Sequence, residues 1–208
     1  MKKLLFSFAI ASLIVGCASN PEGVEAETKS AQEVSAAEGI AYQVDVAGSK
    51  IEWTGAKVSG KHNGTINLSE GTVYLKDNQL SGGSFVVDMN SIVDLDITDP
   101  EYNGKLVGHL KSDDFFAVDK YPTAKFEITG VTPAEEGKLN ISGNLTLRDT
   151  TNNISFVADV VESSESRFEA KADFNINRKK WNVLYNGMAD DLIADEINFK
   201  VHLVANKQ

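Results

Sequence analysis

Cysteine is almost missing from this chain: among 208 residues only Cys17 carries a thiol. No disulfide can close within one copy, and no cluster of thiolates can hold a metal. A folded domain of ordinary size needs neither. Long apolar runs are missing as well. The stretch from Leu4 to Val15 is too short to span a bilayer as a helix. Basic patches interleaved with aromatics are also absent. The formal net charge is −10; Lys2 and Lys3 precede Cys17 and every acid follows it, so the remainder sets 18 basic against 30 acidic side chains, a net of −12. Such a surface repels nucleic acid and anionic headgroups, and nucleic-acid binding is set aside.

The signatures of catalysis are equally thin. There is no GxSxG turn, no glycine-rich phosphate loop, and no serine in a strand–turn–helix setting. The three histidines, His62, His109 and His202, share no HxH or HxxxH spacing, so no metal site is expected from the linear pattern. Asp113-Asp114, beside His109 on the chain, is the one candidate acid–base group, and such a pair is more often solvated loop charge.

What is present begins with an address. Residues 1–17, MKKLLFSFAIASLIVGC, have the layout of a secretory signal peptide. The closing IVGC resembles the bacterial lipobox, which implies a lipidated Cys17 at the mature N-terminus and a chain held to a membrane by that anchor. Ala18, not Asp, follows. In a Gram-negative envelope this favours the outer membrane, facing the periplasm or the surface. Residues 18–39 are small, polar and acidic, and read as a disordered tether. The folded domain is expected over 40–208.

Within that body the dominant period is two. Phe168, Ala170, Ala172, Phe174 and Ile176 alternate with charged or amide side chains. Ile197, Phe199, Val201 and Leu203 alternate with Asn198, Lys200 and His202, and Ile141, Gly143, Leu145 and Leu147 with Ser142, Asn144, Thr146 and Arg148. Such stretches are strands with one dry and one wet face. Weaker alternation covers 42–46, 50–57, 65–70, 72–76, 84–92, 124–131 and 154–161. The gaps between them are short and rich in turn residues, so neighbours pair antiparallel. This is an all-β chain, a sandwich or a barrel. Glycines at 60, 64, 82 and 83 suit the bulges and coiling of a barrel. Phe168, Phe174, Ile197 and Val201 should face inward; Lys171, Lys200 and His202 should face outward. One helix is expected, from about Asp99 to Lys111, capped by Thr98 or Asp99 with Pro100 in its first turn. Its stripe of Tyr102, Leu106 and Leu110 needs cover, and a barrel mouth would supply it. Whether the dry-face aromatics fill a core or line a tube stays open at this level.

Six pieces in order carry a resemblance. They are IEWTGAKVSGKHNGTI at 51–66, GGSFVVDMNSI at 82–92, GHLKSDDFF at 108–116, YPTAKF at 121–126, ISGNLTLRDTTNNISF at 141–156 and FNINRKKWNVLYN at 174–186. Together they resemble the YceI-like lipid/polyisoprenoid-binding family over residues 42–205. The resemblance implies a lipocalin-like, eight-stranded antiparallel β-barrel with one short helix at a mouth. It implies a long-chain isoprenoid or related lipid as ligand, with no other cofactor. On that reading Trp53, Phe85, Met89, Phe115, Phe116, Phe126, Phe174 and Trp181 line the cavity. His62, His109 and Arg178 frame the polar mouth. Two other functions stay in view: an adhesive or structural envelope lipoprotein with a filled barrel, and a lipid-modifying enzyme using His109 with Asp113 or Asp114.

Overall fold

Every stretch of alternation becomes strand, except that the first ends at Val44 and not at 46. The computed structural model describes residues 18–135 and 137–208; the expected signal segment 1–17 and the lipidation at Cys17 lie outside the described residues. The elements run β1 Glu27–Ser30, β2 Ile40–Val44, β3 Lys50–Lys57, β4 Gly60–Lys76, β5 Gln79–Asp94, α1 Pro100–Lys111, β6 Thr123–Pro133, β7 Lys138–Leu147, β8 Thr150–Ser163, β9 Arg167–Asn177, a single 3₁₀ turn Arg178–Trp181, β10 Gly187–Met188 and β11 Asp191–Lys207. From β3 through β9 each strand pairs antiparallel with the next, β9 pairs with β11, and β11 returns to β3. The circuit is a closed eight-stranded barrel. β2 occupies the same position as β3 at the opposite end, between β4 and β11.

The faces follow the pleat. Phe168, Phe174, Ile197 and Val201 point into the barrel, while Lys171 and Lys200 are exposed and His202 meets Glu169 on the outer face at 2.8 Å. The alternation at 65–70 and 72–76 belongs to one strand of 17 residues, not two. Bulges at Thr65/Asn67 and Leu68/Glu70 bend it. Gly71 marks crowding here, not a turn: a Cβ on it would lie 2.8 Å from Val44 Cγ2 and 2.9 Å from Phe85 Cδ1.

α1 closes one end, which we call the helix end. Asp99 caps it, its carboxylate accepting from the N–H groups of Glu101 and Tyr102, and Pro100 sits in the first turn. The stripe is shorter than its spacing suggests. Leu106 and Leu110 turn toward the interior, but Tyr102 is 64 % exposed. The first turn overhangs the rim, and the residue that holds it there is polar. Asn103 donates its amide to the backbone and side chain of Asp94 and to the carbonyl of Ile97.

The segment 18–39 departs most from its reading as a disordered tether. β1 pairs with β8 from Glu27↔Ser155 to Ser30↔Asn152. Glu25 bridges Asn175, with Asn175 N–H donating to Val24 and Ala26 N–H to Asn175. The reason is a seam. β8 and β9 pair only over Ala158–Ser163 and part above it, leaving β8 an open edge that β1 fills. Outward-facing asparagines, wet by pattern, lie beneath this strap. Asn175 donates to the Pro21 carbonyl at 3.0 Å, and Asn144 exchanges bonds with Gln32 N–H and C=O. Composition missed the strap because its order comes from backbone bonds to the barrel, not from apolar residues of its own. Gly23 also matters: its φ is +141°, and a Cβ there would fall 2.2 Å from Asn175 Oδ1.

Candidate functional site

The dry faces do not fill the barrel. They line a tube of about 430 Å³, within the range of about 300–1,000 Å³ typical of small-molecule sites. A belt of rings crosses it from strand to strand. Phe85 on β5 lies 6.2 Å from Phe126 on β6, Phe126 5.8 Å from Phe156 on β8, Phe156 stacks on Phe174 of β9 at 4.2 Å, and Phe174 reaches Phe199 of β11 at 6.3 Å. β7 lets the belt pass because it offers Gly143, where a Cβ would meet the Phe126 ring at 2.3 Å. Trp53, Met89, Phe115 and Phe116 complete the expected lining. The indole N–H of Trp53 is buried without an acceptor among the described residues. Phe156 and Phe199 belong to the wall as fully as Phe174; their dry-face positions signalled it.

Two expected residues have other roles. Trp181 lies outside the lining. It is wholly buried, and its indole N–H donates to Leu145 C=O at 2.9 Å. The 3₁₀ turn carrying it stands beside the parted end of β8, where Asn152 donates to the Lys180 carbonyl. Arg178 does touch the cavity, but its guanidinium is committed to the backbone. It is 1 % exposed, and its guanidinium donates to Ala194 C=O at 3.0 Å, Val183 C=O at 2.7 Å and Ile193 C=O at 3.5 Å. Burial pushes its pKa down, with Asp195 opposing. Linear order showed a cation near the end of a strand; it could not show that three carbonyls claim it.

The helix end is the mouth. His109 on α1 meets Phe115 edge-on at 5.0 Å and Tyr185 edge-on at 4.8 Å, and its Nε2 lies 3.2 Å from Asp114. Tyr185, which no motif singled out, therefore joins the expected pair of His109 and Phe115 as a ring cluster over the tube. Asp113 pairs with Lys120 at 2.7 Å. Lys57, also at the mouth, is held by Asp191 at 2.7 Å.

His62, the third expected mouth residue, is drawn to two acids. Its Nδ1 lies 3.0 Å from Asp96 Oδ2, and Asp94 completes a group whose ligand atoms all lie within 4.8 Å of one another. The acids come from the end of β5 and the turn after it, the histidine from the start of β4, so no spacing along the chain could reveal the three together. Burial pushes the Asp94 carboxyl up, and neighbouring Asp96 adds to that. Burial acts the same way on Asp96, but the Asn63 N–H and His62 outweigh it and hold that carboxyl low.

Comparison with known proteins agrees with this architecture. The profile of the YceI-like domain matches residues 42–205. A UPF0312 protein of Shewanella denitrificans is 30 % identical over 96 residues, 46 % of this chain and 50 % of its own. One of Azotobacter vinelandii is 46 % identical over 43 residues, 21 % of this chain and 22 % of its own. The chain thus aligns with half or less of the length of these relatives. Among solved structures, Burkholderia cenocepacia BcnA superposes with a TM-score of 0.64 at 24 % identity, covering 78 % of this chain and 99 % of its own. A polyisoprenoid-binding domain of Saccharophagus degradans gives 0.64 at 16 % identity, covering 81 % and 99 %. The Campylobacter jejuni YceI protein gives 0.55 at 17 % identity, covering 69 % and 84 %. With the profile match spanning most of the chain, this protein belongs to the YceI-like domain family.

Proposed function

We propose that the protein binds and carries a long-chain isoprenoid or related lipid in the cell envelope, without chemical turnover. The observation that carries this reading is the tube: a cavity walled mainly by aromatic and aliphatic side chains. Each methylene moved from water into such a wall contributes about 0.8 kcal/mol, so a long chain binds tightly with little polar recognition. The Saccharophagus degradans domain, described as polyisoprenoid-binding, supports the same ligand class. Extraction of the protein purified from its native host, followed by mass spectrometry, should recover one long-chain lipid. Ala172 lines the tube beside the Phe156–Phe174 stack. Ala172→Trp should fill it and lower the recovered lipid at least tenfold, while Lys200→Trp on the outer face leaves it unchanged. Full lipid content in Ala172→Trp, or none in the native protein, refutes the reading.

The envelope location rests on the lipobox-like IVGC, and the strap supports it. Asn20 is bonded to Glu196, whose strand partner Asn177 ends β9 near the mouth. Cys17 lies three residues earlier, a reach of about 10 Å. On this reading, an anchor at Cys17 would favour the helix end over the far end as the side turned to the bilayer. That end carries the exposed Val58, Leu95, Leu184 and Met188. Cys17→Ala should move the protein from the membrane to the soluble fraction; equal membrane retention refutes the anchor.

A further inference from the structure

We propose that His62, Asp94 and Asp96 form a site for a divalent transition cation of the zinc class at the mouth of the barrel. Three observations carry it. The ligand atoms of the three side chains lie within 4.8 Å of one another, the arrangement needed to face a single ion. The Oδ2 of Asp94 is buried and has no hydrogen-bond partner among the described residues, on a residue only 6 % exposed. A buried carboxylate oxygen without a donor is costly unless something positive meets it.

The third observation is the support behind the ligands. Asp94 Oδ1 accepts from Ile97 N–H at 2.9 Å and from the Asn103 amide at 3.1 Å. Asp96 Oδ1 accepts from Asn63 N–H at 2.7 Å. Each carboxylate thus has one oxygen fixed by the backbone or a neighbouring amide, leaving Oδ2 to turn toward the ion, the arrangement that outer partners supply at metal sites. The two strands are tied at this point by Leu95 N–H donating to Asn63 C=O at 2.9 Å, so the ligands are held in place before any ion arrives.

The donor set selects the ion. One imidazole nitrogen with two carboxylates suits zinc or a neighbouring first-row cation; calcium and magnesium favour oxygen alone. Three protein ligands leave a position for water or another oxygen donor. His62 and Asp96 are both partly open to solvent, with side chains 28 % and 31 % exposed, so an ion can enter without unfolding the mouth. The proposal is independent of what fills the tube.

The test is calorimetric titration of the chelator-stripped protein with zinc chloride, alongside manganese, calcium and magnesium. One zinc should bind per chain, with a rise in melting temperature. His62→Gln and Asp96→Asn should each weaken zinc by about tenfold or more, with unchanged circular dichroism. Asparagine at 96 keeps an oxygen to accept from Asn63 N–H, so the fold stays intact. His109→Gln and His202→Gln, which touch the other two histidine–carboxylate pairs, should leave the affinity unchanged. Absence of zinc uptake overturns the site. So does zinc affinity indifferent to His62→Gln and Asp96→Asn, or calcium binding as tightly as zinc with His62 dispensable.

Discussion

Replacing Arg178 by methionine should destabilise the barrel by about 3–5 kcal/mol, although it preserves most of the side chain's bulk. The guanidinium is buried and donates to the carbonyls of Ala194, Val183 and Ile193. Removing the donors leaves at least two buried carbonyls without partners, at about 1–3 kcal/mol each. It also frees the chain between the 3₁₀ turn and β11, where Tyr185 closes over His109. Arg178→Lys should recover only part of the loss, because an ammonium cannot match the flat fork that reaches several carbonyls at once. Urea unfolding of the three proteins at equal m-value is the measurement. A loss below about 1 kcal/mol for the methionine variant would show that these carbonyls find water instead.

Arg178 also shows how far a sequence carries an account of this site. The barrel walls were legible because period-two alternation is a local signal. Phe168, Phe174, Ile197 and Val201 all face as their pattern requires. α1 was legible from its cap at Thr98 or Asp99, from Pro100 and from the stripe of Tyr102, Leu106 and Leu110, of which Asp99 is the cap observed. What stayed hidden depends on which distant groups meet. Trp181 and Phe174 look alike on the chain, yet only Phe174 reaches the tube. Arg178 was read as a mouth cation because its three acceptors lie five to sixteen residues away. Asp94 and Asp96 drew no notice because their partner His62 comes from another strand. The strap stays hidden for the same reason: it is held by backbone pairing with β8 and by asparagines whose outward pattern promises water.

Trp181→Ala should cost about 3–5 kcal/mol, the range for truncating a buried aromatic. The ring is wholly buried in the core cluster that also holds Ala26, Leu147 and Ile154. Trp181→Phe should return most of the packing and forfeit mainly the bond to Leu145 C=O, a net of about 1 kcal/mol. Because Trp181 does not line the tube, its truncation and that of a wall residue should separate two readouts. In Trp181→Ala the melting temperature should fall steeply, and the molecules that remain folded should keep their lipid. In Phe174→Ala, where the ring sits in the aromatic belt, lipid retention should fall further than stability alone requires. The comparison pairs thermal denaturation with lipid extraction for both variants at a temperature where each is folded. If folded Trp181→Ala loses its lipid as completely as Phe174→Ala, the indole takes part in holding the guest and its assignment to structure alone is wrong.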